Sequence, residues 1–371
     1  MTALRPLWLR LHRWCALGLG WILIVAGFTG ALLVLAQPLD RWAHSTLFRA
    51  ASGVEQSAAP LAPVLARARQ EFGAQAGLRF RLPQQPGDSL WLRVQSKGWK
   101  GTLYLDPATG LEQGRRGDTE GFANTLFKLH STLLLGANGK ALLAWAALAY
   151  GVLLLTGVIL WWPRHWPGNW HVELRKSLVR ALFDLHRIGG VVMGLLIAAS
   201  VLTGAYLAWR PLGDVLNVIS RTTPVKAPRL PEDIPEPLHP TPSVDALLAR
   251  ARAAMPDGQA CFVQVPTSAK QALHIRFRVA GEPHPNGISS VWLDPRTGAV
   301  LAAQRWYEMD PGTGVAAIAF PLHTGALGGV ALQIVAALNG LALAGIGASG
   351  LWLWWHRHRV RVHALARRNK P

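Results

Sequence analysis

Four stretches of the chain, about residues 14–36, 141–162, 188–209 and 330–355, are apolar for long enough to cross a lipid bilayer. A hydrocarbon core about 30 Å thick takes roughly 20 apolar residues in a helix. Inside it every backbone N–H and C=O must find its partner within the protein, which leaves only helices and closed barrels. Half of the 371 residues are hydrophobic and 16% are charged, against about 25% charged in a soluble domain. The expected fold class is an α-helical integral membrane protein with four transmembrane helices.

The net charge of +18 is unevenly spread. Residues 1–14, 163–187 and 356–371 hold 14 Lys/Arg against 2 acids in 55 residues, whereas 38–129 and 210–320 hold 23 against 18 in 203 residues. Short basic segments beside spans mark the cytoplasmic side, so both termini and the loop between the second and third spans are expected there, with the two long loops outside. Short juxtamembrane runs do not make the basic face of a folded domain that nucleic acid needs, so nucleic acid is excluded as a partner and membrane lipid is the expected surroundings. The basic start, apolar run and Val34-Leu35-Ala36 resemble a cleavable signal. The run of about 23 residues is long for one, so a retained anchor is expected. Cys15 and Cys261 fall on opposite sides of the membrane and read as unpaired packing residues.

The chain also repeats itself. At an offset of 174 residues Leu11-His12-Arg13 matches Leu185-His186-Arg187, Gly20 matches Gly194, and Thr29-Gly30-Ala31 matches Thr203-Gly204-Ala205. At an offset of 193, Leu129-His130 matches Leu322-His323, Gly136 matches Gly329, Gly157 matches Gly350, and Trp161-Trp162 matches Trp354-Trp355. In the long loops Leu105-Asp106-Pro107-Ala108-Thr109-Gly110 is echoed by Leu293-Asp294-Pro295-Arg296-Thr297-Gly298, a hairpin-turn pattern. Helical periodicity covers Leu61–Phe72 and Val244–Met255, with Ser243 as N-cap. Alternation predicts strands at Leu78–Leu82, Leu90–Gln95, Cys261–Val265 and Leu273–Val279. The Pro-rich Thr222–Pro242 reads as a linker.

The expectation is a tandem two-span repeat with two small α+β modules in the outer loops. Residues 1–37 hold the cytoplasmic N-terminus and first span, 38–121 the first module, 122–163 an interfacial helix and the second span, and 164–184 a cytoplasmic loop. The third span covers 185–210, the second module 211–315, an interfacial segment and the fourth span 316–356, and a basic tail 357–371. Two spans per unit keep both copies in one orientation, so a pseudo-two-fold axis along the membrane normal is expected.

That axis gives the repeated histidines a meaning. It brings His12 against His186 near the cytoplasmic face and His130 against His323 near the outer face. Two facing imidazoles are able to ligate a haem iron from both sides, and ionisable groups at membrane depth are functional by default. Glycines near them (Gly18 and Gly20, Gly189, Gly190 and Gly194, Gly136 and Gly139, Gly325, Gly328 and Gly329) are expected to leave flat room for a porphyrin. Any one of these histidines alone reads as an interfacial polar residue, and the glycines alone as tight helix packing. His130 to Trp162 is 33 residues, roughly 50 Å of straight helix, so a surface helix at about 122–135 is expected to break at Gly136-Ala137-Asn138-Gly139, with Phe320–Gly329 as counterpart.

Other candidates are weaker. Trp161, Trp162, Trp166, Trp170, Trp352, Trp354 and Trp355 read as an interfacial belt. His165, His171, His356, His358 and His363 read as solvated cytoplasmic residues, and His239, His274 and His284 as module surface. His44 is a minor candidate near the outer pair, and Met193 and Met309 lack repeat counterparts as axial ligands. Trp306, Tyr307 and Glu308 are candidates for a substrate surface, with module packing the plainer role. No dinucleotide or P-loop motif occurs, so soluble reductant has to come through a partner.

Leu-His-Arg opening a span, Leu-His-x-x-Leu-Leu-Leu-Gly at 129–136, Leu-Thr-Gly at 155–157 and 202–204, and the two Asp-Pro-x-Thr-Gly turns resemble the PepSY-associated transmembrane helix proteins of bacterial inner membranes. The likeness extends over nearly the whole chain and is nearest, in length and layout, to the ferric siderophore (ferrioxamine) reductases. One copy departs from the pattern, reading His323-Thr-Gly-Ala-Leu-Gly-Gly. The resemblance implies PepSY-like outer modules and a di-haem b inner-membrane enzyme with His12, His130, His186 and His323 as axial ligands. It implies electrons passing from the cytoplasmic side to ferric siderophore in the periplasm. The electron donor, quinol or a cytoplasmic reductase, stays open. A siderophore permease is an alternative, disfavoured by so few spans and by the expectation of no broken helix at mid-bilayer. A structural or signalling protein is another, leaving the histidine symmetry without a use. The two outer loops are nearly neutral, so net charge selects no ligand.

Overall fold

A computed structural model describes residues 4–53, 58–163, 170–209, 211, 214–215, 218–219, 221, 227–230, 241–268, 270–309 and 311–368. His165, Trp166, His239 and most of the segment Thr222–Pro242 lie outside the described residues. In chain order the first helices are α1 (Arg5–Cys15), α2 (Trp21–Ala43), α3 (Ser45–Phe48), α4 (Leu61–Phe72), α5 (Phe122–Thr132) and α6 (Gly136–Trp161). They continue with α7 (Leu178–Val192), α8 (Gly194–Ala208), α9 (Val244–Ala254), α10 (Pro311–Thr324) and α11 (Gly329–Arg368). The strands are β1 (Gly77–Arg81), β2 (Leu90–Gln95), β3 (Lys100–Leu105), β4 (Glu112–Gly117), β5 (Gly258–Gln264), β6 (Leu273–Val279), β7 (Ser289–Leu293) and β8 (Val300–Gln304). Met1–Leu35, Leu126–Asp214 and Leu322–Pro371 form one compact unit, and Ala36–Thr125 with Val215–Pro321 the other.

The first unit is helical. Arg5–Ala43, Gly136–Trp161 and Ala326–Leu365 are each long and apolar enough to cross a membrane, and α7 with α8 adds a fourth span if the pair counts as one. Large apolar side chains such as Leu195 (80% exposed) and Val330 (72%) face outward, as lipid requires. The third span corrects the sequence expectation of unbroken helices: it bends by 66° between α7 and α8, at Met193. At the bend α6 packs close against Gly194, where a Cβ would lie 2.7 Å from Leu154 Cδ1. The Tyr150 hydroxyl donates to the Gly194 carbonyl at 2.8 Å, and so satisfies a backbone group next to the break. The first span is irregular at the matching place: Ala16–Gly20 winds as a π-helix, and Trp21 Nε1 donates to the Gly18 carbonyl at 2.9 Å.

Ahead of α6 the chain turns sharply, as expected, but the turn is built differently. Leu133 and Leu134 take left-handed conformations (φ 50° and 59°), and a Cβ on Gly139 would run into the Thr132 carbonyl. Ahead of α11 glycines supply the turn, with Gly325 at φ 74°. Both turns end alike, on Gly136 (φ 59°) and Gly329 (φ 58°), a backbone conformation that costs glycine nothing.

The second unit is one antiparallel sheet in the order β4-β3-β2-β1-β5-β6-β7-β8. This corrects the expectation of two separate modules. The two four-stranded halves join edge to edge through Arg79↔Gln264, Phe80↔Val263 and Arg81↔Phe262, which removes two open strand edges. The Asp-Pro-x-Thr-Gly turns close the β3–β4 and β7–β8 hairpins. In the first, Asp106 Oδ1 accepts from Ala108 N at 2.9 Å and Thr109 N at 3.0 Å. Alternation sends Leu78, Phe80, Leu92, Val94, Val263, Ile275, Phe277 and Val291 to one face, where α4 and α9 cover them with Leu61, Val64, Leu247, Leu248 and Ala251. The halves also share a cap. Asp245 at the start of α9 accepts from Leu61 N (2.7 Å) and Ala62 N (2.9 Å) at the start of α4, and Ser243 caps α9 through Ala246 N at 3.1 Å. The opposite face carries Arg79, Arg81, Trp91, Arg93, Phe262 and Arg276 in adjacent registers.

Candidate functional site

The helical unit assembles the repeated histidines into two couples. His12 on α1 and His186 on α7 have ring centres 6.2 Å apart with planes at 89°. His130 on α5 and His323 on α10 have ring centres 6.0 Å apart with planes at 35°.

Each ring is held through Nδ1 by the other span of its own half. His12 Nδ1 lies 2.8 Å from Thr156 Oγ1 on α6. His186 Nδ1 lies 2.8 Å from the Ile346 carbonyl and 3.3 Å from Ser349 Oγ on α11. His130 Nδ1 lies 3.0 Å from the Ala26 carbonyl and 3.2 Å from Thr29 Oγ1 on α2. His323 Nδ1 lies 3.0 Å from the Ser200 carbonyl and 3.2 Å from Thr203 Oγ1 on α8. The anchors stand at the sequence offsets of the histidines: Thr156 and Ser349 are 193 apart, Thr29 and Thr203 are 174 apart.

These contacts decide where the ring proton sits. The hydroxyls of Thr29, Thr156 and Thr203 each donate at 2.7 Å to a carbonyl one turn back in their own helix, and Ser349 donates to the Ile346 carbonyl at 2.9 Å. A hydroxyl whose proton is so used offers a lone pair, and a carbonyl only accepts. All four histidines therefore donate from Nδ1. That leaves Nε2 as the unprotonated, electron-pair nitrogen, and among the described residues no hydrogen bond engages it.

A glycine follows each anchoring hydroxyl. A Cβ on Gly30 would lie 2.9 Å from His130 Cε1, on Gly204 2.8 Å from His323 Cε1, on Gly350 2.8 Å from His186 Cε1, and on Gly157 3.7 Å from His12 Cε1. Sequence reasoning noted these glycines as repeat matches and assigned the making of room to others. The structure places these four nearest the imidazole rings. Gly139 and Gly325 lie against turn carbonyls, Gly328 against the Leu332 side chain, Gly189 near Ile346 and Gly194 against Leu154, while Gly18, Gly190, Gly136 and Gly329 face open space. A glycine beside a histidine in sequence lies along the same helix; the one beneath its ring belongs to the neighbouring helix.

The second couple is not symmetric behind its rings. Asn339, 2% exposed, donates to Ser200 Oγ at 2.8 Å and to the Leu196 carbonyl at 3.2 Å. At the corresponding place behind His130 stand Ala26 and Ala146.

The weaker candidates go elsewhere. His44 pairs with Asp40 at 2.9 Å. His356 stacks on Trp352 and His358 on Trp354, and His274 stacks on Trp292. Trp306 packs against the sheet core, and Glu308 accepts from Arg305 N at 2.7 Å. Cys15 and Cys261 are both free thiols; burial pushes the Cys261 thiol up to about 11. Among the described residues no group of three or more His, Cys, Asp or Glu converges to hold a metal ion. Each couple thus offers two neutral imidazole nitrogens and no more.

The family model of the PepSY-associated TM region matches residues 9–357 of the chain. No curated protein matches it.

Proposed function

The chain belongs to the PepSY-associated TM region family, and on that premise we propose that it is an inner-membrane di-haem b oxidoreductase. In this reading it carries electrons from the cytoplasmic side and reduces ferric siderophore in the periplasm, releasing Fe(II). One observation carries the reading: two histidine couples, each with both Nδ1 protons committed and both Nε2 atoms without a hydrogen bond among the described residues, with ring centres 6.2 and 6.0 Å apart. Two metal–imidazole bonds of about 2 Å each, with a ring radius of about 1 Å on either side, separate ring centres by about 6 Å. The distances of 6.2 and 6.0 Å fit that sum. Two neutral imidazoles whose unprotonated nitrogens accept no proton from each other are complemented by a Lewis acid. Two protein ligands per centre suit an iron whose other positions a macrocycle fills.

His12 with His186 and His130 with His323 would hold the two groups. When bound, haem b supplies one-electron redox capacity. The chain's own part is to fix the imidazoles. Nδ1 donation to Thr, Ser and backbone oxygens orients each ring and raises its basicity, and Gly30, Gly157, Gly204 and Gly350 let the rings lie close to the neighbouring helix. The basic segments beside the spans support a cytoplasmic location for the termini, which puts the His12 couple on the inner side and the His130 couple on the outer. Iron leaves on reduction because Fe(II) is less well matched than Fe(III) to hard oxygen ligands. The donor is quinol or a cytoplasmic reductase.

The test is a reduced-minus-oxidised spectrum of the purified protein with its haem-to-protein ratio. Two b-type haems per chain are expected; a colourless preparation removes the reading. A permease reading draws its support from the bend at Met193, since broken helices are common at transport sites. Here Tyr150 takes up the Gly194 carbonyl beside the bend and Leu154 packs against Gly194. Siderophore uptake by haem-free proteoliposomes would favour the permease.

A further inference from the structure

The strand-rich unit holds a feature that net charge conceals. Its four central strands, β2, β1, β5 and β6, contain five arginines and no Asp or Glu. On the face away from the core, Arg79 stands directly opposite Arg93 across the strand pair, and Arg81 opposite Trp91 and Phe262. Guanidinium and ring alternate: Arg81 lies 4.4 Å from the Trp91 ring centre, Arg79 5.3 Å and Arg276 5.7 Å from Phe262. Arg93 is matched by Asp118, and Arg276 donates to the Gly287 carbonyl. Arg79 and Arg81 have no ion pair among the described residues. Partial burial, with Arg93 beside Arg79 and Arg41 beside Arg81, holds both guanidiniums below the usual arginine range, and Asp88 offsets only part of this at Arg81.

Like charges placed opposite one another across strands are destabilising. A face on which Arg79 and Arg81 stand beside other arginines and aromatic rings, with no acid in salt-bridge contact with either among the described residues, is set up for an anion from outside. Guanidinium planes recognise paired oxygens, and the interleaved rings offer π faces.

We infer that this face binds a polyanionic aromatic chelate of iron(III), of the tris-catecholate kind, as the substrate class of the reductase. The inference rests on the proposed function. A trianion with flat rings matches both the arginines and the aromatic surfaces between them, which a neutral hydroxamate chelate does not.

The test uses the full chain in phosphatidylcholine nanodiscs, titrated calorimetrically with gallium(III) tris-catecholate, which has the ferric complex's charge and shape and is not reduced. Saturable binding is expected, at least about tenfold tighter than that of a neutral gallium trihydroxamate. Arg79→Gln and Arg81→Gln should each weaken it about tenfold, while the exposed Lys97→Gln should not. Thermal melts of the two arginine variants should equal or exceed the parent, since repulsion is relieved, and this separates lost binding from lost folding. Equal affinity for the neutral chelate, or parental affinity in both arginine variants, overturns the inference. So does loss of chelate binding in phosphatidylglycerol nanodiscs, which would assign the face to lipid headgroups. Gallium binding does not depend on haem, and the absorbance of the same samples reads the haem centres separately.

Discussion

In the helical unit the two halves of the chain keep their chemistry and let the backbone differ. A π segment at Ala16–Gly20 answers a 66° bend at Met193, and a leucine turn answers a glycine turn, yet every imidazole keeps a hydroxyl at Nδ1 and a glycine beneath it. In the strand-rich unit the halves keep their backbone and let the chemistry differ. Each is a four-stranded antiparallel run with one helix and one Asp-Pro-x-Thr-Gly turn, but where β1 offers Arg79 and Arg81, β5 offers Gln264 and Phe262. The contrast locates what selection on function would hold fixed. Each imidazole needs its own acceptor at Nδ1 and room beside its ring, whereas a sheet needs only alternation and a hairpin.

Breaking the first half of this contrast gives the largest effect. His323→Ala should lower the haem-to-protein ratio from two to one, leaving the spectrum of the His12 couple in place; pyridine haemochrome analysis reads it. Next come the glycines. Gly30→Ala and Gly204→Ala put a methyl group within 2.9 and 2.8 Å of an imidazole carbon and should shift or empty the His130 couple. Gly157→Ala, at 3.7 Å, should be tolerated, and optical spectra of the three variants compare them directly.

The strand-rich unit should betray itself by its response to acid. Burial, with Arg276 nearby, lowers both His274 and His284 to about 4, whereas in the unfolded chain they take up protons near 6.5. Stability is then complete above about pH 6.5 and falls as pH drops toward 4, by at most about 1.4 kcal/mol per pH unit for each group. Thermal melts between those limits should show the decline, and His274→Asn should flatten part of it. The smallest effect is expected from Thr156→Val. It removes the hydroxyl at His12 Nδ1 and should raise the midpoint potential of that couple by on the order of tens of millivolts. An unchanged potential would separate the hydroxyl from ligand tuning.

Much of this was legible in the residues themselves. Leu61–Phe72, Leu90–Gln95 and Leu273–Val279 are observed with the ends that periodicity assigns, and constant offsets were enough to pair the four histidines. What stayed hidden was non-local. The bend at Met193 follows no proline, and the groups that meet it, Tyr150 and Leu154, come from another helix. The joining of β1 to β5 links residues 79 and 264, and alternation reports a strand's faces without naming its neighbour. The glycines under the rings were visible as repeats, but only helix packing gives them their role. The near-neutral charge of the outer loops masked arginines gathered on one face.

The bonds that hold each imidazole stay within one half of the chain, while each couple is made between halves. A single half meeting a second copy of itself would present the same two rings to their twins, so the molecule has the logic of a homodimer fused into one polypeptide. Fusion frees the twins to diverge, and the Ser200–Asn339 contact behind one ring, with alanines behind the other, is a difference that no symmetric ancestor assembled from identical subunits would have been able to encode.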